Sequence, residues 1–236
     1  MGVPVFWRES LDGDFLDLDG AEGHHAAVVR RLAVGEPVRL VDGRGGVADC
    51  AVTVVGKRGV EVAVSSRVGV PPPAPRITVV QAVPKGDRAG LAVEALTEVG
   101  VDRVVPWAAH RSQVRLTGER RARLLSRWRA WAFESSKQAR RTWFCEVADV
   151  ATTAEIADLL TRSDLPVVLH EEARVPLRAD PAVRDAVLVV GPEGGITDDE
   201  LEALGVRPVR LGDTVLRTST AGAVAAGIIL ATTRWA

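Results

Sequence analysis

Cysteine is scarce in this chain. The 236 residues contain only Cys50 and Cys145, and the two form no Cys-x-x-Cys pair, which argues against a disulfide framework or a zinc knuckle. Long apolar runs are missing too. No stretch reaches the roughly 18 residues of a membrane span, and Met1–Ser10 carries Pro4, Arg8 and Glu9 where a signal peptide needs an apolar stretch. No sustained repeat is present, which excludes a coiled-coil or collagen-like body. Disorder is excluded by a hydrophobic content of 47%. What these absences leave is a soluble, cytoplasmic protein with no membrane partner, long enough for one large domain or two small ones.

Charge imbalance is also missing, but only on average. The chain holds 30 basic and 31 acidic side chains. Residues 1–70 contain 8 basic against 10 acidic, residues 71–141 contain 14 against 6, and residues 142–236 contain 8 against 15. Within residues 103–141 there are 11 basic groups, against Glu119 and Glu134 alone. A concentrated cationic element in a neutral protein is what local neutralisation of phosphates requires. It is also what a solvated helix face looks like in a chain with 27 arginines and 3 lysines.

The run Val70-Pro-Pro-Pro-Ala-Pro75 reads as an extended spacer. It divides the chain into residues 1–70, a linker at 71–75, and residues 76–236. In the first part, Pro37–Asp42, Val47–Val55 and Val60–Val68 alternate with period two and are separated by glycine turns, and Glu22–Leu32 reads as one helix. Short strands with a single helix suggest a small β-barrel. In the second part strands alternate with helices. The predicted strands are Ile77–Val83, Val104–Pro106, Pro166–His170, Ala186–Val190 and Pro208–Leu211. The predicted helices run from about Asp87 to Val99, over Glu119–Arg141 and Thr153–Thr161, from a Thr197/Glu200 capping box to Leu204, and over Thr220–Thr232. This order predicts an α/β domain with a largely parallel sheet covered on both faces.

Open parallel sheets bind ligands at the carboxyl ends of their strands. Three turns there stand out: Leu169-His170-Glu171-Glu172, Gly191-Pro-Glu-Gly-Gly195, and Gly212 to Ala221. The glycine turn lacks the lysine of a P-loop, and the chain lacks a dinucleotide fingerprint at its first strand–helix turn. Gly194 and Gly195 allow close backbone approach and Pro192 stiffens the turn. Glu193 would repel a phosphate, so a phosphate-free nucleoside such as S-adenosylmethionine suits the turn; a tight turn with no ligand is the alternative. The last helix, with Ala221, Gly222, Ala223, Ala225, Ala226 and Gly227, has little side-chain bulk, which suits close backbone packing; an ordinary buried alanine-rich helix is the alternative.

The ordered set Gly191-Pro-Glu-Gly-Gly-Ile-Thr197, Leu211-Gly212 and Leu216-Arg-Thr-Ser-Thr-Ala221 resembles the RsmE family of bacterial 16S ribosomal RNA methyltransferases. Glu22-Gly-His-His25, Lys85-Gly-Asp-Arg88, Thr97-Glu98, Arg111-Ser112 and Gln138 to Arg141 match in the same order. The resemblance covers nearly the whole chain. It implies a PUA-like barrel on a SPOUT methyltransferase domain with a carboxyl-terminal trefoil knot, a homodimer, and S-adenosylmethionine as the cofactor. It also implies 16S rRNA, free or in the assembled small subunit, as the partner, with N3 of a uridine as the methyl acceptor. The chain departs from the family at Val5, His110, Lys137, Arg140 and Ser219.

On that resemblance, Arg217 is the leading candidate to stabilise a uridine anion, with Arg88 and Arg111 as alternates, because a guanidinium is always charged and presents a planar fork. Glu98, Glu193 or solvent takes the proton. The cofactor is expected among Leu169, His170, Gly191, Pro192, Gly194, Gly195, Leu211, Gly212, Leu216 and Ala221, with hydroxyls from Thr218 or Thr220. RNA is expected on Arg31, Lys85, Arg88, Arg111, Arg120, Arg123, Arg127, Gln138 and Arg141. Trp107 and Trp143 are the expected base-stacking residues, and Trp128 and Trp131 the expected core. No metal is required, since no second histidine completes a zinc motif at His170. A nucleotide-dependent oxidoreductase and a non-catalytic RNA-binding protein are the competing classes. Within the methyltransferases, another RNA position or a ribose 2′-hydroxyl remains open.

Overall fold

The computed structural model describes residues 2–84, 88–112 and 118–236. It divides into two compact units, Met1–Pro72 with Lys137–Phe144, and Pro73–Ser136 with Cys145–Ala236.

The first unit is a five-stranded sheet. Its strands are β1 (Val5–Trp7), β2 (Phe15–Leu18), β3 (Pro37–Val41), β4 (Gly46–Val55) and β5 (Val60–Gly69), in the order β1-β3-β4-β5-β2. Only the β1–β3 pairing is parallel. The period-two alternation read from the sequence puts Val38 and Leu40 of β3, Cys50 and Val52 of β4 and Val60 and Val62 of β5 into one core with Phe6, Leu16 and Leu18. β1 and β2 escaped the sequence reading because three or four residues are too few to establish a period. The predicted helix at 22–32 is α1 (Gly20–His24) followed by a wider π turn over His25–Val29, where Arg30 N–H donates to His25 O at 2.8 Å.

Residues 142–144 bind the β3–β4 turn. Phe144 N–H donates to Gly43 O and Gly45 N–H to Thr142 O, both at 2.9 Å. Gly45 has φ +94°, and a Cβ there would stand 2.7 Å from the Trp143 ring. Glycine is therefore required on both conformational and steric grounds.

The second unit is an all-parallel sheet of β6 (Arg76–Ala82), β7 (Arg103–Trp107), β8 (Glu146–Val147), β9 (Leu165–Val168) and β10 (Asp185–Val190), in the order β8-β7-β6-β10-β9. One face packs on α2 (Arg88–Val99), α3 (Gly118–Gln138) and α6 (Thr218–Ala231), with Val79, Leu96, Trp128 and Ile229 at the centre. The other packs on α4 (Thr153–Thr161) and α5 (Asp198–Leu204) through Val80, Trp107, Ile156 and Leu204. Cover on both faces explains why these strands read as unbroken apolar runs.

The predicted capping box is present, and a second one at Thr152 and Glu155 opens α4. The small residues of α6 do permit close approach. A Cβ on Gly222 would lie 3.0 Å from Leu96 Cδ2 and 3.3 Å from Val79 and Val190, whereas Gly227 has ordinary clearance. Near the chain's end Arg234 pairs with Asp102 and donates to the carbonyls of Gly100 and Pro75.

Two expectations require correction. The strand at 208–211 is reduced to single bridges, Val209 to Leu169 and Arg210 to Pro176, because the segment is inserted between two neighbours and pairs one residue with each. Trp107 is not a stacking surface. It ends an interior strand, is fully buried, and donates from Nε1 to Thr153 Oγ1 at 3.3 Å.

Candidate functional site

The carboxyl ends of β9 and β10 open onto a cleft of about 310 Å³. Three separate segments of the second unit line it, and each is held by local chemistry.

Leu169 and His170 continue β9. Leu169 N–H donates to Val189 O and His170 N–H to Val209 O, both at 3.0 Å. The His170 ring is held within its own turn, where Nδ1 accepts from Glu172 N–H at 3.2 Å. Among the described residues no group of three His, Cys, Asp or Glu side chains could hold a metal ion.

The glycine turn follows β10. Gly195 N–H closes the turn on Pro192 O at 2.9 Å, and Gly195 sits at φ +77°. A Cβ on Gly191 would stand 2.6 Å from Ile196 Cγ1, so the turn can fold onto that buried side chain only from a glycine. A Cβ on Gly194 would stand 3.2 Å from Arg111 Cβ, and Arg111 Nη1 donates to Gly194 O at 3.0 Å.

The third segment begins where Val209 N–H donates to Val168 O at 2.8 Å and Arg210 N–H to Val175 O at 2.9 Å. These bonds carry Leu211 and Gly212 into the cleft wall. Arg217 then caps α6 with extended backbone, and its own side chain makes no capping bond. Arg217 is exposed and lines the cleft. The first turn of α6 is anchored from below. Gln81, 1% exposed at the end of β6, donates from Nε2 to Thr218 O at 3.2 Å and to Ala82 O at 2.9 Å.

Of the residues expected at a cofactor, Leu169, His170, Gly191, Pro192, Gly195, Leu211, Gly212, Leu216, Thr218 and Ala221 line this cleft. Gly194 does not, because it faces Arg111. Thr220 does not either, because its hydroxyl donates to Arg217 O at 3.2 Å. Glu193, Arg217 and Arg88 line it as well. Glu98 is exposed on α2, ten residues beyond Arg88 and so about 15 Å further along the helix, outside the cleft. Glu171 and Asp213, which belong to the turns singled out above, also line the cleft, as does Arg210, which was not expected there. Its place at the end of a predicted strand was the available signal. Gln81 was missed too, although a lone amide in an apolar strand is itself a mark of a polar duty.

The expected RNA residues are divided between the two units. Arg31, Gln138 and Arg141 belong to the first unit, where Arg141 Nε donates to Trp143 O at 2.8 Å. Lys85 lies outside the described residues. On α3 Arg123 pairs with Glu119 at 2.8 Å, and Arg127 lies 4.9 Å over the Trp131 ring. Trp131, expected in the core, is thus half-buried beneath a cation. Arg120 is exposed on the same stripe of the helix as Arg127.

Comparison with known proteins supplies an independent view. Residues 71–230 match the family model for an RNA methyltransferase domain, and residues 18–65 match that for an RNA methyltransferase PUA domain. The chain is 44% identical over 247 residues to ribosomal RNA small subunit methyltransferase E of Mycobacterium bovis, covering 100% of this chain and 94% of that protein. The Bacillus subtilis protein of the same name is 28% identical over 218 residues, covering 86% and 85%. The crystal structure of ribosomal RNA small subunit methyltransferase E from Neisseria gonorrhoeae, bound to S-adenosyl methionine, aligns with a TM-score of 0.83 at 27% identity, over 97% of each chain.

Proposed function

The chain belongs to the ribosomal RNA small subunit methyltransferase E family, and from that premise we propose that it transfers a methyl group from S-adenosylmethionine to N3 of a uridine in 16S ribosomal RNA, at the cleft formed by the three late turns. The observation that carries this reading is that Glu193, Leu211 and Arg217, far apart in sequence, line the same cavity.

The residues fit the cofactor. The cleft is near the lower end of small-ligand pockets, roughly 300 Å³. Its walls at Gly191, Gly195 and Gly212 carry no side chains. Acidic Glu171 and Asp213 line the cleft together with Arg88 and Arg210, charges of both signs rather than the cationic excess that a phosphate would call for. Arg210 and Asp213 already neutralise each other at 3.1 Å. When bound, S-adenosylmethionine supplies an electrophilic methyl group.

The chain's own task is to make the imide nitrogen nucleophilic and to aim it. N3 gives up its proton as the N–CH₃ bond forms and the S–CH₃ bond breaks. The negative charge on the uracil spreads to O2 and O4, where the fork of Arg217 stabilises it. Glu193 takes the proton. Arg88, also on the cleft, holds the nucleotide's backbone. The exposed arginines of α3 add sequence-independent attraction for RNA, and the uridine leaves its stack to reach the cleft.

The finer architecture is part of the same proposal. The sheet of the first unit acts as a PUA-like barrel. The insertion of 209–210 between 168–170 and 175–177 is the expected signature of a chain threaded into a trefoil knot. Val224 on α6 and Trp235 just beyond it, 42% and 59% exposed, give apolar surface for a second copy.

Two measurements test the function. Calorimetry should give a binding heat with S-adenosylmethionine and none with NAD; silence with the former removes the assignment. Mass spectrometry of rRNA should lose N3-methyluridine on deletion of the gene and regain it on complementation. An unchanged level refutes the acceptor.

A further inference from the structure

Glu200 does more than cap a helix. In a capping box the glutamate needs one oxygen, which returns to the N-cap residue. Here Oε2 performs that duty, accepting from Thr197 N–H at 3.1 Å and from Thr197 Oγ1 at 3.0 Å. A second oxygen would ordinarily face water. In this chain Glu200 is 7% exposed, and Oε1 accepts from His110 N–H at 2.8 Å.

His110 lies after β7, whereas Glu200 belongs to the helix after β10, and β6 stands between those strands in the sheet. One carboxylate therefore ties together the ends of two strands that are not neighbours. The next residue, Arg111, makes the second tie, from Nη1 to Gly194 O at 3.0 Å. Both ties involve hydrogen bonds with a charged group at one end, stronger than neutral ones. Glu193, which lines the cleft, directly precedes the tied Gly194 in the glycine turn.

We infer that Glu200 is a positioning residue for methyl transfer: its buried carboxylate locks the Arg111 loop onto the glycine turn and so holds Glu193 in register with the cleft. This rests on reading the cleft as the methyl-transfer site. Glu200 touches neither cofactor nor RNA and acts through Arg111 and Gly194. Glutamine cannot replace it. The amide keeps one acceptor and turns the other into a donor, which must face the N–H of His110 or of Thr197.

The test compares Glu200→Gln with Thr197→Ala, which removes the cap hydroxyl and leaves the His110 bond intact. For each variant, thermal unfolding, cofactor Kd by calorimetry, and kcat and KM for methylation of the rRNA substrate are measured. Glu200→Gln should lower kcat by about tenfold or more, as displaced catalytic geometry does. Its cofactor Kd should stay within about twofold, because Glu193 rather than the backbone cradle is displaced. Thr197→Ala should lose only cap stability and keep its kcat. Adding Glu200→Gln to Arg111→Ala should slow the enzyme no further than Arg111→Ala alone, since both cut the same link.

Additive effects, or rate losses in Glu200→Gln and Thr197→Ala that simply follow their Tm, overturn the inference. If Glu200→Gln does not fold, Glu200→Asp serves in the same comparison. It keeps the charge but is too short to reach both His110 and Thr197. Wild-type protein that binds no S-adenosylmethionine would instead remove the functional assignment on which the inference rests.

Discussion

Gln81 Nε2 donates to the carbonyl oxygen of Thr218 at 3.2 Å, joining residues 137 positions apart in the chain. The bond sets the height of the first turn of α6 above the sheet, and with it the position of Arg217, Thr218 and Ala221 along the cleft. Gln81→Leu preserves bulk but leaves two carbonyl oxygens without this donor. The loss should be about 1–3 kcal/mol in denaturant unfolding, with a weaker cofactor Kd by calorimetry. Unchanged affinity would mean that α6 is held by packing at Gly222 alone.

Arg217→Ala should separate chemistry from binding. The side chain is exposed and makes no capping bond, so its removal leaves α6 formed. Single-turnover methylation should fall by about 10²–10³, the range for losing a donor to developing negative charge. Cofactor Kd should change little. Arg217→Lys should recover only a minor part of the rate, because an ammonium lacks the planar fork. A variant that bound no cofactor would move Arg217 from the acceptor side of the cleft to the cofactor side.

What could be read in advance follows the range of each signal. The capping box at Thr197 and Glu200 is a local pattern, and it stands where the sequence put it. The link from Glu200 to His110 spans 90 positions and leaves no trace in periodicity. The glycine turn was legible as a turn from its residue types, but not that Gly191 is the position where Ile196 leaves no room for a Cβ. Gly194 instead faces Arg111, a contact fixed by the neighbouring loop and invisible in its own turn. Helical spacing located α3, which ends at Gln138 rather than at Arg141, but carried no information that its last residues, Lys137 and Gln138, cluster with the first unit. Trp107 was misjudged for a related reason, whereas Trp128 lies in the core as expected. Nearness to a basic run suggested exposure for Trp107, whereas position at the end of an interior strand decides burial.

The arginines of α3 should not contribute equally to RNA binding. Arg123 is already paired with Glu119, while Arg127 lies over the Trp131 ring and Arg120 is exposed on the same stripe of the helix. In a salt titration of RNA binding, Arg120→Ala and Arg127→Ala should each flatten the log–log slope by about 0.7. Arg123→Ala should change it less. Equal effects at all three positions would show that the Glu119 pair opens on binding.

Lys137 and Glu22 form a partly buried pair at 2.5 Å in the first unit, their side chains 15% and 13% exposed. The second oxygen of Glu22 accepts from Trp7 N–H at 3.0 Å, so this carboxylate joins the end of α3 to β1 as well as to α1. Lys137→Met leaves the carboxylate buried without its cation, and such a break costs about 3–5 kcal/mol. Adding Glu22→Gln removes the charge yet keeps an acceptor for Trp7, so the double variant should be more stable than Lys137→Met alone. Denaturant unfolding of the single and double variants measures the coupling. If Lys137→Met costs less than about 1 kcal/mol, the value typical of an exposed pair, the last turn of α3 is not held in the first unit by this charge and the packing of Trp143 and Phe144 must hold it instead.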